Sequence, residues 1–252
     1  MKVKNNLLAA FLLTALTVFM ACEKNVISIP GDTPVGARVK FIQACSNCSV
    51  VNTAPRPSIN VLITANGQTI NPTGLAYGGI FPSSGYSVLP TGEITLNFVR
   101  SDSGQTIFSS KVNLSDGKYY SIYVGDTIPT PTISLIEDDI KVFQDTFFRV
   151  SFVNMLSGTK KDTLELWHQN AQKVVGANVL YGTSSAFTFV PSSPGTDTFF
   201  FRKAGTTVMY PLSGIVTFAG GFKAQTFTMF ASGLNNKTTG TQIPRFAPVR
   251  NR

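Results

Sequence analysis

The chain repeats itself, and that restricts what it can fold into more than any other feature. Leu75-Ala76-Tyr77-Gly78 returns as Val179-Leu180-Tyr181-Gly182, and Val39-Lys40-Phe41-Ile42-Gln43 as Val150-Ser151-Phe152-Val153-Asn154. Leu62, Asn66 and Gln68 return at Leu166, Asn170 and Gln172. Asn97-Phe98-Val99-Arg100 is matched by Phe199-Phe200-Phe201-Arg202, and Pro90-Thr91-Gly92 by the neighbourhood of Pro194-Gly195. Such self-similarity implies two copies of one domain, each of ordinary domain size. The expected limits are 37–139 and 147–233, with Glu137 to Thr146 as the link and 234–252 as a basic tail.

Within a copy, the turns name the class. Ile59 to Ala65 is β-rich and is followed by Asn66-Gly67, a pair that tolerates the positive φ of a tight hairpin. Ile94, Leu96 and Phe98 alternate along the next strand, which sends them to one face. Asp102-Ser103-Gly104 and Asp116-Gly117 then turn the chain into Thr106–Leu114 and Tyr119–Val124. No stretch sustains a helical period. Short strands joined by such turns predict an all-β protein made of two tandem antiparallel β-sandwiches. Phe199, Phe200 and Phe201 are consecutive, so either Phe200 or its two neighbours must leave that core. A packed interface between the copies would absorb them; a ligand platform is the other reading.

Charge excludes one class of partner. The formal charge of +8 falls to +6 without Lys2 and Lys4, and to +2 without Lys237, Arg245, Arg250 and Arg252 of the acid-free tail. Basicity is then a property of the ends and not of a nucleic-acid-binding stripe. No nucleic-acid partner is expected. The tail reads as a solvated end, with contact to anionic lipid or glycan phosphate as the alternative.

Lys2 and Lys4 precede the uncharged run Leu7 to Ala21, which ends at Cys22. Its 15 residues fall short of the roughly 20 that span a bilayer, so a secretory leader is the better reading. Ala21-Cys22 resembles the lipobox of bacterial lipoproteins, although Phe19 and Met20 are bulkier than the residues preferred there. The resemblance implies a signal peptide over 1–21 and a lipidated Cys22 at the head of a tether over 22–36. Several acyl chains would hold it on a membrane where one would not. An ordinary signal peptide with an incidental Cys22 is the alternative. Glu23-Lys24 resembles, without its acidic run, a mark for export to the outer leaflet.

With Cys22 acylated, Cys45 and Cys48 remain. A second CxxC is missing and His168 is the only histidine, so zinc and redox chemistry fit poorly. In an exported chain the pair predicts a disulfide across a short loop, with free thiols as the alternative.

The order of five segments brings a family into view. Ala37 to Ala44, Asn60-Val61, Gly74 to Gly78, Asp116 to Tyr120 and Ile133 to Asp139 follow one another as in a bacterial family catalogued only as a domain of unknown function, number 4397. That family is similar to paired immunoglobulin-like modules of exported and lipid-anchored proteins. The resemblance covers 37–139 and extends over 147–233, and it departs at the Cys45–Cys48 insertion. It implies fold and export and transfers no catalytic residue.

Candidate chemistry is sparse. His168 reads as an exposed strand end, and no nucleophile motif or phosphate-cradling loop accompanies it. Glu137-Asp138-Asp139 is the one calcium-like cluster, though a solvated linker run is the better reading. Asp102 and Asp126 carry turn signatures only. If Leu164 and Leu166 face inward, Glu165 and Trp167 face outward together. An aromatic ring beside a carboxylate suits a sugar, the ring covering C–H surface and the carboxylate taking hydroxyls. Packing of Trp167 in the core or in the seam between copies is the other reading.

The expectation is a lipid-anchored outer-membrane protein, on the periplasmic face or the cell surface, without catalysis, metal or cofactor. Its partners would be the membrane, through Cys22, and a protein or glycan at the envelope. A glycan-binding accessory of a polysaccharide uptake system is the alternative role, with a hydrolase a distant third.

Overall fold

The computed structural model describes residues 35–48, 60–141, 143, 146–159, 162–192, 195–207, 209–210, 215–219, 222–240 and 242–251. Cys22 and the leader lie outside them. The first copy contributes β1 (Ala37–Gln43), β2 (Val61–Ala65), β3 (Gln68–Thr69), β4 (Ile80–Phe81), β5 (Ser87–Leu89), β6 (Gly92–Arg100), β7 (Thr106–Leu114), β8 (Tyr119–Gly125) and β9 (Thr132–Glu137). The second contributes β10 (Phe147–Ser157), β11 (Leu164–His168), β12 (Lys173–Val179), β13 (Thr188–Pro191), β14 (Thr196–Lys203), β15 (Ile215–Ala219), β16 (Thr226–Leu234) and β17 (Arg245–Arg250).

Both copies are β-sandwiches, and their strand orders coincide. The first pairs a sheet β4-β1-β8-β9, with β5 also on β1, against a sheet β3-β2-β6-β7. The second pairs β13-β10-β16-β17 against β12-β11-β14-β15. Neighbouring strands are antiparallel except for one parallel pair in each copy, β1 with β8 and β10 with β16. The predicted hairpin turn is present: Asn66 and Gly67 hold φ of 48° and 85° between the paired residues Ala65 and Gln68.

Ladder register makes Val39 equivalent to Val150, Tyr120 to Phe227 and Glu137 to Arg250. It also corrects two of the sequence matches. Ile63 and Phe98 are sealed in the first core as Leu166 and Phe201 are in the second. The equivalent of Leu166 is therefore Ile63, not Leu62, and that of Phe98 is Phe201, not Phe200. A slip of one residue sends every side chain of a strand to the other face, and the three consecutive phenylalanines hid it.

The two sandwiches pack through the sheets that hold β1 and β10. Ile42, Ala44 and Tyr123 meet Val153, Met155, Phe230 and Val249 in an apolar cluster distinct from either core. Four sheets are thereby stacked, and the two inner ones are buried on both faces. That is why β1, β8, β10 and β16 are buried along nearly their whole length, polar residues included.

Two further expectations change. The second copy does not end at 233 with a solvated tail: β17 pairs with β16 over Arg250↔Phe227 to Arg245↔Ser232. Phe246 and Val249 point inward, so the arginines that suggested a loose end flank a closing strand. Phe200 does not enter the seam either, as shown below. Cys45 and Cys48 are disulfide-bonded, their Cα atoms 5.5 Å apart, and both belong to the first core.

Candidate functional site

β11, β12, β14 and β15 form the outermost layer of the second copy. Leu164 and Leu166 are sealed inside, so Glu165 and Trp167 belong to the outer face, as the alternation predicts. Register sets Trp167 opposite Phe200, Phe200 opposite Ile215, and Val174 on the other flank of Trp167. An apolar row thus crosses four strands at roughly 4.8 Å per strand. The Trp167 and Phe200 ring centroids are 6.3 Å apart. Ile215 and Met209 beside them are 59% and 47% exposed. Gln169, Gln172, Arg202 and Thr207 supply polar groups to the same groove, whose volume is about 630 Å³.

The row has a counterpart inside the same molecule. The equivalent register positions of the first copy are Thr64, Asn97 and Ser109. There Asn97 Nδ2 donates to Thr64 Oγ1 at 3.3 Å and Ser109 Oγ donates to Asn97 Oδ1 at 2.7 Å. One outer sheet therefore carries a hydrogen-bonded polar ladder where the other presents Trp167, Phe200 and Ile215. The fold alone does not call for an apolar row at that place.

Glu165 differs from expectation. Arg202 lies opposite it in the ladder, and Arg202 Nε donates to its Oε1 at 2.5 Å while Gly205 N donates to Oε2 at 3.4 Å. Its carboxylate is thus engaged within the protein and not offered to a ligand. The pair instead fixes Arg202, whose guanidinium carbon stands 4.0 Å from the Trp167 ring centroid. Arg202 covers one face of the indole, with its charge matched by the buried carboxylate. Ile215, Met209 and Arg202 were not singled out from sequence. The Phe199–Phe201 run signalled that one ring must face outward, but the cross-strand partners of that ring depend on register.

The remaining sequence candidates scatter. His168 is not exposed: it is 3% accessible, its Nε2 is 3.0 Å from Asp197 Oδ1, and its ring stacks on Phe199 at 4.5 Å. The strand bond that turns Trp167 outward turns His168 inward. Glu137, Asp138 and Asp139 point to different partners. Glu137 pairs with Lys118 at 2.6 Å, and Asp139 with Arg149 at 2.7 Å and Lys141 at 3.0 Å. Asp138 is buried and accepts from Tyr86 Oη at 2.8 Å and Ser121 Oγ at 2.7 Å. Burial pushes its carboxyl above the ordinary aspartate value, against the opposing effect of those two hydrogen bonds and of Lys40. Asp102 pairs with Arg100 at 2.8 Å, and Asp126 sits in a turn at φ 63°. Among the described residues no three His, Cys, Asp or Glu side chains are placed to share a metal ion.

Comparison with known proteins is sparing. A family model described as a domain of unknown function (DUF4397) matches residues 46–161, from the disulfide loop through the rest of the first copy and all of β10. No curated protein sequence matches the chain. One similar solved structure, from work on "Alpha-glucan recognition by family 41 carbohydrate-binding modules from streptococcal virulence factors", shares 11% identity over 77% of this chain and 93% of that one, with a TM-score of 0.25.

Proposed function

We propose that the protein is a lipid-anchored, non-catalytic binding protein of a bacterial envelope, and that its binding face is the outer sheet bearing Trp167. Its ligand is a neutral glycan. The observation that carries this reading is the contrast between Trp167–Phe200–Ile215 and the polar ladder at the same place in the first copy. An apolar row in an open groove, with Ile215 exposed, Trp167 half-buried and Phe200 nearly buried between them, rimmed by amides and hydroxyls, matches a sugar, which has C–H faces and hydroxyl edges. The one charge among the groove residues, Arg202, is matched by Glu165, so an acidic sugar gains little there. His168 and Asp197, the pair that would interest a hydrolase, lie inside the core.

The anchor rests on the lipobox resemblance. Labelling with a palmitate analogue is expected to disappear in Cys22→Ala. For the ligand, immobilised neutral polysaccharides should retain the wild-type protein. Trp167→Ala should weaken retention by about thirtyfold, the equivalent of about 2 kcal/mol of ring surface covered by sugar. Thr64→Ala, at the equivalent position of the first copy, should leave it unchanged. Failure of every neutral glycan to retain the wild type ends this reading in favour of a protein partner.

A further inference from the structure

Eight large apolar side chains are exposed among the described residues, and four of them, Val35 (85%), Val88 (41%), Phe147 (37%) and Phe189 (49%), gather at one end of the molecule. It is the end at which the chain enters. Gly36 N donates to Asp116 Oδ1 at 2.7 Å and Gly36 O accepts from Gly117 N at 3.2 Å, which fixes the entry point at the start of β1. The two sandwiches place equivalent residues there. Arg38 pairs with Val88 in the first copy as Arg149 pairs with Phe189 in the second, and the starts of both strands lie side by side, because Lys40 Nζ donates to the Arg250 carbonyl at 2.5 Å. The second copy enlarges its half of the patch with aromatic rings. Phe143 meets Phe189 at 5.4 Å and Phe147 meets it at 6.2 Å, while Arg149, held by Asp139, lies 4.7 Å from the Phe187 ring centroid.

We infer that this end is a bilayer-contacting surface on which Val35, Val88, Phe147 and Phe189 dip into the headgroup–acyl boundary of a phospholipid membrane. The inference rests on the proposed lipid at Cys22, since the thirteen peptide steps from Cys22 to Val35 reach at most about 45 Å. Aromatic and aliphatic side chains at the chain-entry end are the groups that partition to a membrane interface. Charge is secondary: Lys118 is matched by Glu137, and Asp139 is shared between Lys141 and Arg149, so the apolar side chains carry the contact, a zwitterionic bilayer suffices and the contact persists at high salt. The opposite end also exposes Ile128 (41%), but as a single aliphatic side chain beside a groove lined by Asn47, Thr127, Ser157, Asn235 and Lys237.

The test uses the chain from residue 22 onward with Cys22→Ser, sedimented with phosphatidylcholine–phosphatidylethanolamine vesicles at high salt. Wild-type side chains at this end should carry the protein into the pellet, and Phe147→Ser with Phe189→Ser should lower the partition coefficient about tenfold. An unchanged thermal midpoint in the double variant shows that the fold is retained. No sedimentation of the parent chain, or equal sedimentation of the variant, overturns the surface and leaves the patch to a protein partner. Palmitate labelling separates the two ideas. Phenylalanine-dependent binding without labelling at Cys22 upholds this surface and removes the anchor, whereas labelling without such binding removes the surface alone.

Discussion

Tyr123 and Phe230 occupy equivalent positions in the two copies and face each other across the seam, with ring centroids 5.7 Å apart. The rest of the seam repeats that symmetry. Tyr77 Oη lies 3.1 Å from Ser232 Oγ, and its ring lies 4.9 Å from the Arg245 guanidinium carbon. Its equivalent Tyr181 has Oη 3.2 Å from Thr132 Oγ1, and Thr132 is the equivalent of Arg245. Ser121 Oγ donates to Asp138 as Thr228 Oγ1 donates to Asn251. Residue i of one copy meets j of the other, and j meets i, which is the signature of an isologous dimer interface here joined within one chain.

Because the seam is a shared core, the two sandwiches should melt as one. Phe230→Ala removes a buried ring from that cluster and should cost about 3–5 kcal/mol. Calorimetry is expected to show a single transition in the wild type, displaced to lower temperature in the variant. Two well-separated wild-type transitions would mean that the seam contributes little.

Gly125 is the equivalent of Ser232, yet a side chain there requires its neighbours to move. A Cβ there would strike the Met155 methyl and come within 2.8 Å of Tyr181 Oη. Gly125→Ser should destabilise by about 1–3 kcal/mol through overpacking, while Ser232→Gly should cost about 1 kcal/mol for a lost hydrogen bond. Equal midpoints in denaturant for both variants and the wild type would contradict the packing described.

Asp138 should give the protein an acid-side stability trend opposite to that of an ordinary ion-paired aspartate. Its folded-state value is raised, mainly by burial, so the folded state binds the proton more tightly than the unfolded one. Its favourable contribution is complete below the unfolded value, near 3.9, and is lost as pH rises through the raised folded value. Asp138→Asn copies Asn251 of the second copy and keeps an acceptor for Ser121. It is expected to raise stability at neutral pH and flatten this part of the profile in urea titrations between acid and neutral pH. A steeper acid-side profile in the variant would refute the assignment.

Glu165 is expected to matter through Arg202. Glu165→Ala leaves a partly buried guanidinium without its partner, at a cost of about 1–3 kcal/mol, and frees it from the Trp167 ring. Thermal melts and glycan retention should fall together. Retention that survives the stability loss would show that the arginine does not shape the groove.

The Cys45–Cys48 bridge closes a loop of only a few residues. Reduction should therefore lower stability by no more than about 2 kcal/mol, read as a small shift in the denaturant midpoint. The second copy manages without a bridge at this place, where Thr159 Oγ1 donates to the Leu156 carbonyl at 2.6 Å.

What the sequence by itself determined is local: the β class, the Asn66-Gly67 turn and the pairing of Cys45 with Cys48. Each follows from alternation, turn chemistry or separations of a few residues. Pairing between distant strands was decided only in the tertiary structure. It set Phe200 and Ile215 beside Trp167, engaged Glu165 with Arg202 and turned His168 inward. It also closed the second sandwich with Arg245–Arg250 and buried Lys40 and Asp138 in a seam. The physical reason is that a one-residue change of register reverses every side chain of a strand, and local composition carries almost no record of which face another sheet will cover.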